Sequence, residues 1–137
     1  MQENTMYAMK INVKSNFTTT RERVIEELKK EGFGVLTEID VKATLKKKLD
    51  VDRRPYDILG ACNPPFAHKV LEAEPDIGVL LPCNVVVMEE EDQSITVTAM
   101  DPAAVMSVID NPEVHAVAGE VRERLQRVLQ ETQSALS

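Results

Sequence analysis

Covalent or soft-metal chemistry in this chain falls to two side chains, Cys62 and Cys83, each followed directly by an asparagine, Asn63 and Asn84. Two thiols facing one pocket would serve as a redox pair or as soft metal ligands. The competing reading is two small buried hydrophobes, which the usual burial of free cysteine favours. The amides divide in the same way. They line a pocket beside the thiols, or Asn63 caps a helix and Asn84 ends a strand. Ile58, Phe66, Leu81 and Val85 offer apolar walls, and apolar walls with a few convergent polar groups are what a small-molecule site needs. The candidate ligand-binding set is therefore Cys62, Asn63, Phe66, Cys83 and Asn84. A metal would have to use Cys62, His68 and Cys83. That set lacks a fourth ligand, and Asp57 is the nearest acid in the strand. Haem ligation through either thiolate is chemically possible, though nothing in the sequence demands it. The backbone amides from Asn63 to Phe66 would open a helix, where a small anion binds.

These assignments need Cys62 and Cys83 at the same end of neighbouring strands, which antiparallel pairing allows and parallel pairing forbids. The elements are as follows. Tyr7 to Val13 alternates Tyr7, Met9, Ile11 and Val13 as one buried strand face. Thr19-Thr20-Arg21-Glu22 matches a capping box, and the helix it starts stops at Gly32. Phe33 to Asp40 is a second strand. Val41, Leu45 and Leu49 give a short helix with its lysines outward. Tyr56 to Cys62 is a third strand, and Asn63-Pro64 begins a helix to about Glu74. Cys83 to Glu89 is a fourth strand, and its apolar run suggests burial on both faces at its centre. Ser94 to Ala99 is its hairpin partner. Asp101-Pro102 and Asn111-Pro112 start the last two helices. The final one carries Glu120–Arg124 and Glu123–Arg127 as i,i+4 pairs, and from about Gln130 it should fray. The order β-α-β-α-β-α-β-β-α-α predicts an α+β fold, with helices on one face of a mainly antiparallel sheet. The 137 residues suit one domain over 1–137.

Composition narrows the function classes. The net charge of −7 is uneven: residues 1–17 carry +1, residues 18–54 carry +2 and residues 55–137 carry −10. An acidic protein offers phosphates the wrong sign, so no nucleic-acid partner is expected. The one basic cluster, Lys46-Lys47-Lys48 with Arg53-Arg54, reads as a solvated helix end or as a landing site for an acidic or phosphorylated partner. Neither a signal peptide nor a membrane span is expected, because the most apolar stretch, Ile77 to Met88, is interrupted and short. The expectation is a cytoplasmic protein with no membrane partner and reduced thiols. General acids, bases and an activated nucleophile are not evident, which favours a non-enzymatic binding or interaction module for a small ligand over thiol-dependent redox or metal and haem binding through Cys62 and Cys83. No particular cofactor follows from the sequence.

The stretch Ile58-Leu59-Gly60-Ala61-Cys62-Asn63-Pro64, followed by Ile77-Gly78-Val79-Leu80-Leu81-Pro82-Cys83-Asn84-Val85-Val86-Val87, resembles the bacterial and archaeal family called domain of unknown function 302. Phe17, Gly32-Phe33-Gly34-Val35, Ile39-Asp40 and Asp101-Pro102 fit the same likeness, which covers roughly residues 7–129. The resemblance implies a compact fold similar to that of the TATA-binding protein and a homodimer, and no established activity. The apolar strand Val85–Met88 adds to the expectation of a homodimer.

Overall fold

The computed structural model describes residues 2–137; Met1, counted in the single domain expected over 1–137, lies outside them. Six strands form one antiparallel sheet in the order β1-β2-β6-β5-β4-β3. They are β1 (Gln2–Asn4), β2 (Ala8–Val13), β3 (Gly34–Asp40), β4 (Tyr56–Cys62), β5 (Cys83–Glu89) and β6 (Ile95–Met100). The helices are α1 (Phe17–Lys30), α2 (Val41–Leu49), α3 (Pro64–Ala73), α4 (Pro102–Val105) and α5 (Pro112–Leu136), with short 3-10 segments at Pro75–Leu80 and Met106–Val108. The fold is α+β, as the element order implies.

The main core follows from strand parity. Met9, Ile11 and Val13 pair across to Ala99, Val97 and Ile95, and β6 carries the row on to Val85 and Val87 of β5. Successive strand residues face opposite sides of a sheet, so these apolar residues share one face. Val24 and Leu28 of α1 and Leu125 and Leu129 of α5 close over them in one buried cluster. A second, smaller cluster joins Val70, Ile77, Met106, Val114 and Ala118.

Several local expectations are corrected. Asn16, not the Thr19–Glu22 box, caps α1; its Oδ1 accepts from the Thr19 N–H at 2.8 Å. The partly buried Phe17 packs on the core, so the first turn begins earlier than the box suggests. Tyr7 lies outside β2 and is exposed. β5 alternates and is not fully buried on both faces at its centre: Val85 and Val87 are buried while Val86 between them is half-buried. No residue of α2 is buried, although Val41 and Leu45 are partly covered. α5 stays helical to Leu136 with Thr132 fully buried, where fraying from Gln130 was expected. Glu120–Arg124 forms at 3.2 Å. Arg127, however, pairs with Glu31 at 3.0 Å, because α1 and α5 pack side by side.

Candidate functional site

β4 and β5 are antiparallel with Ala61 opposite Cys83. Cys62 is the next residue along, so the two cysteines sit at the same end of one ladder. From strand spacing and rise their Cα atoms are roughly 6 Å apart. The one-residue offset makes them diagonal rather than directly opposed neighbours across the ladder. Both are free thiols. Cys83 is buried and Cys62 half-buried. Burial pushes the Cys83 thiol up from 9.0 to about 11, with a smaller contribution from the Cys62 charge. At neutral pH Cys83 is a protonated, apolar thiol, a poor nucleophile and a poor metal ligand.

A cavity of about 300 Å³ opens at this end of the sheet, and both cysteines line it. Its walls include Phe33, Ala61 and Val121 from the main core and Val70, Met106 and Ala118 from the smaller one. It is the seam between the two apolar clusters. The lining side chains are apolar except for the two thiols and Asn63. Asn63 occupies the N-cap position of α3 without making the side-chain cap bond expected of it. Its Nδ2 donates instead to the Glu31 carbonyl at 3.2 Å. That carbonyl also accepts from Arg124 Nη1 at 3.0 Å. Gly32 makes the approach possible. It sits at φ +86, where glycine is unstrained, and a Cβ there would come within 3.0 Å of the Asn63 amide.

Phe66 forms part of the wall and has two cations near its ring. The Arg124 guanidinium carbon is 5.1 Å from its ring centre and Lys69 Nζ is 5.8 Å from it. Sequence reasoning missed both cations as site residues. Arg124 reads from spacing alone as an outward partner of Glu120, and only the packing of α3 against α5 shows that it also covers the ring.

The candidate residues therefore separate. Cys62, Asn63, Phe66 and Cys83 reach the cavity; Asn84 does not, because it pairs with Gly60 and faces the other side of the sheet from Cys83. Leu81 lines the cavity, whereas Ile58 and Val85 do not. His68 is exposed on α3 and lies outside the lining. Among the described residues no three His, Cys, Asp or Glu side chains are grouped to hold a metal ion, so the set Cys62, His68 and Cys83 is not assembled. The helix-start anion site is also weak. Pro64 and Pro65 have no N–H, and the Ala67 N–H is taken by the Asn63 carbonyl at 2.9 Å. In the basic cluster, Lys46 pairs with Asp50 at 2.8 Å and Asp52 at 3.2 Å, while Arg53 stacks on Tyr56 at 4.9 Å. Among the described residues no helix is long and apolar enough to cross a membrane.

Residues 9–132 match the model of the family described as Domain of unknown function DUF302. A crystal structure of an uncharacterized conserved protein DUF302 from Bacillus stearothermophilus is similar, with a TM-score of 0.85 and 31% sequence identity over 92% of this chain and 98% of that one. An uncharacterized protein of Aquifex aeolicus (strain VF5) is 33% identical over 70 residues, 42% of this chain and 49% of that protein. The match thus spans about half the length of that curated relative.

Proposed function

The chain belongs to the DUF302 family, and from that premise we propose that it is a binding module whose cavity between α3, α5 and the ends of β4 and β5 holds a small, mainly apolar ligand. The observation that supports this is the seam of about 300 Å³ at the Cys62–Asn63 and Cys83 boundaries, at the lower end of the usual size of small-molecule sites. A thiol-dependent function is the less favoured alternative, because Cys83 is held protonated near neutral pH. Native mass spectrometry of protein purified without tags or chelators should show a retained apolar small molecule. Binding of the neutral dye Nile red gives the second readout. Ala67 is half-buried on the α3 wall of the cavity, so Ala67→Phe should fill the space and weaken dye binding about tenfold, the equivalent of ~1.4 kcal/mol. Undiminished binding to a folded Ala67→Phe protein would remove the cavity from consideration.

The reading includes a homodimer. By register Ile58, Val86 and Met88 lie on the sheet face away from the main core. Ile39 extends this row on the edge strand β3 and is 48% exposed. A second copy packing sheet on sheet would cover the row.

A further inference from the structure

Resting on the cavity reading above, we propose that the ligand is an amphiphile of medium chain length, an apolar tail with an anionic head such as a carboxylate, the tail in the seam and the head beside Phe66. The volume sets the tail. About 300 Å³ holds roughly ten water-sized groups at ~30 Å³ each, which suits a tail of about eight to ten carbons. The chemistry of the walls excludes a polar body, since Asn63 is the only lining side chain with a strong hydrogen-bonding group. It is 7% exposed, and its Nδ2 is engaged with Glu31 while the amide makes no cap bond.

The charge beside the Phe66 wall sets the head. Phe66 is the lining residue with cations on it, Arg124 from α5 and Lys69 from its own helix. Arg124 is already balanced by Glu120 at 3.2 Å. Lys69 has no ion pair among the described residues and is exposed, so it is the cation available to a head group. In a chain of net charge −7 with only four basic residues beyond position 54, two of those four converge on this ring.

Decanoate and decanol, which share a tail and differ in head charge, are the probes, and displacement of Nile red from the full-length protein is the measurement. Decanoate should displace the dye about tenfold better than decanol at low salt, and the preference should shrink as salt screens the pair. Lys69→Glu, on an exposed position that should not disturb folding, should remove most of that preference, and Lys69→Arg should keep it. Equal displacement by the two probes, or a preference unchanged in Lys69→Glu, overturns the anionic head while leaving an apolar ligand in place. Failure of both probes, with dye binding indifferent to Ala67→Phe, overturns the cavity reading and this proposal together.

Discussion

At Cys83 packing and proton binding are linked. Its thiol is raised from 9.0 to about 11 by burial first and by the Cys62 charge second. Below about pH 9 the folded and unfolded chains both keep the proton, and the stabilisation is fully present. Between about pH 9 and 11 the unfolded chain gives the proton up first, so stability falls as pH rises, by about 2–3 kcal/mol in all. Denaturant midpoints across that range should therefore decline more steeply for the native sequence than for Cys83→Ala; parallel slopes would show that the buried thiol is not the titrating group. At this scale the sequence was readable where chemistry and boundary coincide. Cys62, Asn63 and Cys83 each stand at an element end, and all three reach the cavity. Asn84 was misplaced because one step along a strand reverses the direction of the side chain. Lys69 and Arg124 were invisible, since their common partner Phe66 is defined by helix packing that no local pattern encodes.

Gly60 shows the same division among elements. A Cβ there would overlap Thr37 Oγ1 from β3 and lie 2.8 Å from Pro82 Cγ at the entry to β5. Three chain segments meet over a bare backbone at this point, beside the cavity that Pro82 lines. Gly60→Ala should cost about 1–3 kcal/mol as overpacking. Adding Thr37→Ala should restore part of that loss and not all, because the proline contact remains; urea midpoints of the two variants check this. A neutral Gly60→Ala would mean the neighbours give way freely. The alternation of Met9, Ile11 and Val13 made β2 legible, and Tyr56–Cys62 was read with the bounds that β4 has. β1 was not, because Gln2-Glu3-Asn4 has no apolar face and is a strand only through pairing with Ile11, Lys10 and Met9. The start of α1 was read too late because two capping sequences compete there, and the packing of Phe17 decides between them.

For the whole molecule the sheet face away from the main core makes a test of assembly. Light scattering at micromolar concentration should give about twice the 15.3 kDa chain mass. Val86→Lys, which places a charge in the middle of the apolar row, should shift the protein to monomer. A native protein that is a clean monomer at that concentration contradicts the proposed dimer. The sheet order carries a different kind of consequence. Among the described residues β2 pairs with β1 and with β6, with Met9 opposite Ala99. The two residues are 90 positions apart, 99 minus 9. At a ribosomal rate of ~5–20 residues per second, β2 emerges roughly 5–18 seconds before β6 exists. Met9, Ile11 and Val13, all fully buried in the finished fold, lie in a strand that has the three-residue β1 to pair with during that interval and not yet β6. Closing so long a loop is also among the slower steps available to a small domain. The first core strand therefore gains its main partner only once the last strand of the sheet has been made.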